Sequence, residues 1–152
     1  MLFRSVALMT QLLELSGREK VLEVGTGSGY AAAVLSRIAS KVYTIERHAA
    51  LAEVARQRLA QLGYGNIDVR SGDGTHGWPE ESPFDAIFVA AAGPTVPIAL
   101  KQQLAIGGNL VLPIADSYGN QTLCKIARLG DTEFKRTDLD AVSFVPLISE
   151  QG

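Results

Sequence analysis

Val21-Leu-Glu-Val-Gly-Thr-Gly-Ser-Gly-Tyr30 is the stretch that decides the fold. A short β-branched run, Val21 to Val24, leads straight into alternating glycines at Gly25, Gly27 and Gly29. A helical apolar pattern follows at once through Tyr30, Ala31, Ala32, Ala33, Val34, Leu35 and Ile38. Strand, glycine turn and helix form the opening unit of a nucleotide-type α/β fold. Glycine accepts positive φ in such a turn, and its missing Cβ lets a ligand lie on the backbone. The helix that follows directs its free N–H groups at whatever occupies the loop.

Working outward, Val6–Leu15 carries apolar residues at helical spacing and stops at Ser16-Gly17. Lys20–Val24, Lys41–Glu46, Asn66–Arg70, Phe84–Ala90 and Gly108–Ile114 read as successive strands. Ser28–Ala39 and Ala49–Leu62 read as helices, the second closed by Gly63. Pro94–Leu104 reads as a loop and short helix. The near-continuous apolar character of Phe84–Ala90 predicts burial on both faces. Beyond it, Gln121–Arg128, Glu133–Leu139 and Val142–Leu147 alternate like strands with no helix between them. The order predicts an α/β fold: a Rossmann-like, doubly wound, mostly parallel sheet with antiparallel C-terminal strands, one domain over residues 1–152.

A pI near 5.7 and the absence of a basic run argue against a nucleic-acid partner. No apolar run reaches the roughly 18 residues a membrane span needs. The single cysteine, Cys124, lies in an alternating run and reads as a half-buried strand thiol rather than a nucleophile; one thiol suits a reducing cytoplasm.

In doubly wound sheets the ligand lies beyond the carboxyl ends of the strands, where strand order reverses. Three features fall there: the glycine loop after the first strand, Glu46 ending the second, and Ser71-Gly72-Asp73-Gly74 after the third. An acid at the second position can take both hydroxyls of a ribose. An Asp beside glycine at the third can accept from the exocyclic amine of a base while leaving room for its ring. Together they describe a bound nucleoside. The dinucleotide pattern is Gly-x-Gly-x-x-Gly. Here the third glycine comes one residue early, and no length remains for a hydride-acceptor domain. S-adenosylmethionine is therefore favoured over NAD as cofactor. A non-catalytic cofactor-binding module and an NAD-dependent oxidoreductase remain as alternatives.

The chain resembles the protein-L-isoaspartate (D-aspartate) O-methyltransferases, class I methyltransferases of Rossmann-like type. The resemblance is carried by Val21–Tyr30, Val42-Tyr-Thr-Ile-Glu46, Leu62-Gly-Tyr64, Gly72-Asp-Gly74 with Gly77-Trp78, Phe84-Asp-Ala-Ile87, Gly107-Gly108, Pro113 and Phe144-Val-Pro-Leu147. It runs from about Val6 to the end of the chain. It implies methyl transfer to the α-carboxylate of L-isoaspartyl and D-aspartyl residues in damaged proteins, with S-adenosyl-L-homocysteine as product and no metal. It implies cofactor contacts at Glu23, Gly25, Thr26, Gly27, Ser28, Gly29, Glu46, Arg47, Gly72, Asp73 and Gly74. Val145, Pro146 and Leu147 would lie near the substrate peptide. A cytoplasmic monomer is expected.

One departure stands out. The family's Ser-Gln-Pro motif, counted back from Ala7, falls on Met1-Leu2-Phe3, so its serine position is Met1. Ser5 is not at the matching position, and the front segment that carries the motif is missing. Leu2–Ser5 fits neither the family nor the amphipathic helix it opens, and residues 1–5 read as non-native. Slow turnover is expected of such a chain, as is exposure of Val6 and Met9. No catalytic side chain is assigned. A carboxylate, with a reference pKa of roughly 3.3–4, is already ionised at neutral pH and needs no base. His48 and His76 therefore read as solvated residues of a helix start and a loop.

Overall fold

The computed structural model describes residues 2–150. Within them, four helices (α1 Leu2–Leu12, α2 Tyr30–Ile38, α3 Ala49–Gln61, α4 Ile98–Gln103) flank seven strands. The strands are β1 Lys20–Val24, β2 Lys41–Glu46, β3 Ile67–Ser71, β4 Phe84–Val89, β5 Leu104–Ala115, β6 Gln121–Arg128 and β7 Phe134–Val142. They form one sheet in the order β3-β2-β1-β4-β5-β6-β7. Pairing is parallel as far as β5 and antiparallel for β6 and β7. The chain runs outward from β1 to β3, then returns to the other side of β1 with β4. That reversal places the switch point beyond the carboxyl ends of β1 and β4.

The central strands are buried on both faces: successive side chains point to opposite sides, and a separate apolar cluster covers each. Val21, Val42, Phe88 and Val111 pack with Val6 and Met9 of α1, with Leu13 just after it, and with Ala32 and Leu35 of α2. Leu22, Val24, Ile45, Ile87 and Leu110 pack with Leu100 of α4 and with Trp78. The edge strand β7 is exposed along most of its length, and Lys135, Arg136, Asp138 and Asp140 charge it, a pattern that discourages edge-to-edge pairing. No helix among the described residues is long and apolar enough to cross a membrane.

Four expectations are corrected. First, α1 begins at Leu2 rather than Val6, so Leu2–Ser5 does join the helix; Phe3 packs edge-on against Tyr30 with ring centroids 4.8 Å apart. Second, Val6 and Met9 are buried, at 3% and 0% exposure, because α1 lies against the sheet. Third, α2 starts at Tyr30, not Ser28, since Gly25, Gly27 and Gly29 keep φ of 98°, 53° and 90°, values incompatible with a right-handed helix. Fourth, Val142–Leu147 is not a strand of the sheet. β7 ends at Val142, and the chain then crosses Ala92, whose N–H donates to Val145 (2.8 Å) and whose carbonyl accepts from Leu147 (2.7 Å). Pro146, with no N–H to donate, sits between them in an isolated parallel bridge to Ala92.

Candidate active site

A cavity of about 420 Å³ opens at the switch point. Its floor is the loop from β1 to α2, with Gly25, Thr26, Gly27 and Ser28; Glu46 closes one side, and Phe144 and Val145 another. The loop is held on β2. Gly25 and Thr26 donate their N–H groups to the Ile45 carbonyl at 2.9 and 3.3 Å. Gly27 donates to Glu46 Oε1 at 3.0 Å, and His48 donates to Oε2 at 2.8 Å. A Cβ built at Gly27 would meet nothing within 4 Å, so this residue presents bare backbone to open space. Gly29 is different: it is buried against Leu59 of α3 and serves packing.

Beneath the loop lies a buried polar line. Glu23 Oε1 lies 2.6 Å from the Thr44 hydroxyl oxygen, and Thr44 Oγ1 lies 2.6 Å from Thr26 Oγ1. Glu23 Oε2 is buried without a hydrogen-bond partner among the described residues. Burial, with a smaller push from Glu46 and against the Thr44 bond, raises the Glu23 carboxyl to about 8.

The residues after β3 stand apart from the cavity wall. Asp73 Oδ1 accepts from the Thr75 N–H (2.9 Å) and hydroxyl (2.6 Å), and Oδ2 accepts from the Glu150 N–H (3.0 Å). Burial pushes this carboxyl up, but those hydrogen bonds and nearby His76 outweigh it and hold it below the usual range. Gly72 is tied to Glu46 through its N–H on the Glu46 carbonyl (2.9 Å). Gly74 packs on Val24, where no Cβ fits. Arg47 is exposed and outside the wall.

The structure thus brings Gly25, Thr26, Gly27, Ser28, Glu46 and Val145 to one cavity, with Glu23 behind them and Gly29 at the helix start. It leaves Arg47, Gly72, Asp73 and Gly74 off the wall. Pro146 makes the bridge to Ala92, and Leu147 lines a second hollow with Thr75, Gly93 and Pro94. Met1, the position given to the family serine, lies outside the described residues. Sequence reasoning missed Ser5, Val6 and Tyr30 as wall residues, together with Ala90, Ser143 and Phe144. Phe144 and Tyr30 were within reach, since both end quoted motifs. Ser5 and Val6 arrive only because α1 folds across the loop.

Among the described residues the wall holds Ser and Thr hydroxyls but no cysteine. Cys124 is buried among Asp138 and Arg136, and burial pushes its thiol up to about 11. Among the described residues no group of three His, Cys, Asp or Glu could hold a metal. A glycine loop with an acid beside it is suited to hold a neutral or cationic nucleoside, not to supply a covalent intermediate.

The family model for Protein-L-isoaspartate(D-aspartate) O-methyltransferase (PCMT) matches residues 3–152. The chain belongs to this family. It is 54% identical over 147 residues to a protein-L-isoaspartate O-methyltransferase of Rhodopseudomonas palustris, and 53% identical to one of Pelobacter propionicus. Each alignment covers 97% of this chain, but 67% and 65% of those relatives. The chain therefore spans about two thirds of their length. A solved protein-L-isoaspartate O-methyltransferase superposes with a TM-score of 0.90 at 30% identity, over 97% of this chain and 48% of that one. A Plasmodium falciparum structure described as a putative member, in complex with S-adenosyl-L-homocysteine, superposes at 0.73 with 26% identity, over 95% of this chain and 71% of that one. The family fold is a class I methyltransferase fold, and the mixed, mostly parallel seven-stranded sheet fits it.

Proposed function

We propose that this chain, as one domain and one copy, binds S-adenosylmethionine in the cavity over the glycine loop. It then methylates the α-carboxylate of L-isoaspartyl and D-aspartyl residues in damaged proteins. The observation that carries the reading is the pairing of Glu46 with Gly27 at the cavity wall. An acid anchored by backbone, with a second oxygen edge beside bare glycine, is what a ribose diol needs. Asp73, a strand-end acceptor one strand further out, is proposed for the base amine, with Gly72 and Gly74 beside it as further cofactor contacts. Glu23, Ser28, Gly29 and Arg47 are proposed to support the loop and its rim. Val145, Pro146 and Leu147 are proposed to lie along the substrate peptide.

When bound, the sulfonium supplies a methyl group to the carboxylate oxygen as the carbon–sulfur bond breaks, and no proton moves. The chain's part is then positioning and water exclusion. Phe144 and Val145 face the loop across the cavity, and Val6 and Tyr30 close the side formed by α1 and α2. These apolar walls keep water from solvating the carboxylate.

The test is methyl transfer from S-adenosylmethionine to an isoaspartyl peptide and to its normal aspartyl twin, with cofactor binding measured by calorimetry. Transfer to the isoaspartyl peptide alone is expected. Equal transfer to both, or cofactor binding with transfer to neither, overturns the reading.

A further inference from the structure

Glu23 is the group that the methyl-transfer chemistry leaves unexplained. It lies in register between Thr44 on β2 and Phe88 on β4, and its side chain is buried completely. The layer that covers this face of β1 is apolar: Val6 and Met9 from α1, Leu35 from α2 and Phe88 from β4. The charged group that acts on it is Glu46 of β2, which has the same sign. Among the described residues no cation compensates it, and Oε2 has no hydrogen-bond partner. An ionised carboxylate there would leave an oxygen bearing about half its charge without a partner, which is strongly unfavourable in a dry site.

We propose that Glu23 is protonated at neutral pH. It then acts as a positioning residue that sets, through the Thr44 hydroxyl, the direction of the Thr26 hydroxyl at the cavity wall. The two contacts of 2.6 Å form a chain, Glu23 Oε1 to Thr44 Oγ1 to Thr26 Oγ1, with one hydrogen in each gap. With the acid neutral, Glu23 donates to Thr44 and Thr44 donates to Thr26. The proton of Thr26 is then free for an acceptor in the cavity, such as the carboxylate of an amino-acid tail. With the acid ionised, the order reverses. Thr26 donates to Thr44, Thr44 donates to Glu23, and Thr26 offers a ligand only lone pairs. The Glu23 O–H bond breaks and its proton leaves to solvent, while the Thr44 and Thr26 hydroxyls keep their hydrogens and only rotate. The raised carboxyl of Glu23 places the reversal in the mildly alkaline range.

This inference rests on the reading that the cavity holds the cofactor, and the experiment separates the two. The probe is S-adenosylhomocysteine, which lacks the sulfonium charge; attraction of its remaining α-ammonium to an ionised Glu23 would strengthen binding as pH rises, opposite in sign to the loss expected from a reversed hydroxyl order. Its affinity is measured by calorimetry from pH 6.5 to 9 for the wild type, Glu23→Gln and Thr44→Val. In parallel, the Glu23 carboxyl is titrated by carbon NMR in the ligand-free protein. Glutamine can donate to Thr44 but cannot ionise, so it holds the outward order.

The wild type is expected to lose affinity roughly 3- to 10-fold more than Glu23→Gln across that range, the size of one hydrogen bond. Thr44→Val breaks the chain, and its profile is expected to match that of Glu23→Gln while its Glu23 carboxyl still titrates high. A merely structural Glu23 would not give a pH-dependent difference. A wild-type Glu23 that titrates below pH 6, or identical profiles for wild type and Glu23→Gln, overturns the inference and leaves the cofactor site standing. Absence of binding at every pH overturns both. Should Glu23→Gln fail to fold, the comparison of wild type with Thr44→Val and the NMR titration still decide the outcome.

Discussion

Glu46 Oε1 accepts the backbone N–H of Gly27 at 3.0 Å, so the acid at the end of β2 and the middle glycine of the β1–α2 loop are held as one unit. The other oxygen is held by His48 N–H at 2.8 Å, at the start of α3. The carboxylate is therefore oriented before any ligand arrives.

That preorganisation makes Glu46→Ala a binding mutation. It removes hydrogen bonds to a carboxylate, worth roughly 1.5–3 kcal/mol or about 10- to 150-fold in affinity. Calorimetry with S-adenosylmethionine is the measurement, and an unchanged dissociation constant would reject the ribose assignment. Glu46→Gln keeps one acceptor for Gly27 and is expected to fall between wild type and alanine.

Gly27→Ala separates loop conformation from ligand space. Gly27 has φ of 53°, and a Cβ there meets nothing within 4 Å. The expected stability loss is therefore only the left-handed backbone cost, roughly 1–2 kcal/mol. Cofactor affinity is expected to fall much further, because the added methyl occupies space that bare backbone leaves open. Urea melts and calorimetry on the same sample check this; parallel small losses in both would make the loop merely structural.

Much of this arrangement was legible before the structure. The parallel strands β1, β2, β4 and β5 announce themselves through apolar runs that need two covered faces, the edge strand β3 only through alternation, and the loop through its glycines. Glu46 was visible because it ends such a run. Other features depend on contacts distant in sequence. The bond between Asp73 and the Glu150 N–H joins residues 77 apart. The burial of Val6 and Met9 depends on α1 docking against the sheet, where Asn109 Nδ2 of β5 donates to the Leu13 carbonyl at 3.4 Å. Val142–Leu147 alternates like a strand, yet Pro146 removes a donor and the segment pairs only locally with Ala92. The Glu23–Thr44–Thr26 line depends on the register of β1 against β2, which periodicity does not set.

Stability should carry the signature of Glu23. Its folded carboxyl is raised from an ordinary 4.5 to about 8. The folded state thus binds this proton more tightly than the unfolded chain does. The contribution is complete below about 4.5 and is lost as pH rises through about 8. Between those limits wild-type stability should fall relative to Glu23→Gln by about 1 kcal/mol per pH unit. Asp73 and Glu19 are shifted the opposite way, so their contributions disappear on acidification. They are common to both proteins and cancel in the difference. Urea denaturation at pH 6, 7 and 8 provides the measurement. A constant difference would show that Glu23 is not a raised acid.

Gly74 tests how the turn after β3 is seated. A Cβ there would collide with the Cγ1 of Val24, which is itself buried at the end of β1. Gly74→Ala must push Val24 out of its packed position, an overpacking change that typically costs about 1–3 kcal/mol. Because Val24 precedes Gly25, the strain should reach the glycine loop and weaken cofactor binding as well as stability. Val24→Ala alone leaves a void and also destabilises. The double variant Val24→Ala/Gly74→Ala places one small side chain where each clash or void arose. Its stability loss is therefore expected to be smaller than the sum of the single losses, by more than the roughly 0.5 kcal/mol scatter of independent sites. Thermal or urea denaturation of the four proteins measures that coupling. Strict additivity would mean that the Gly74 turn moves away from Val24 rather than packing on it.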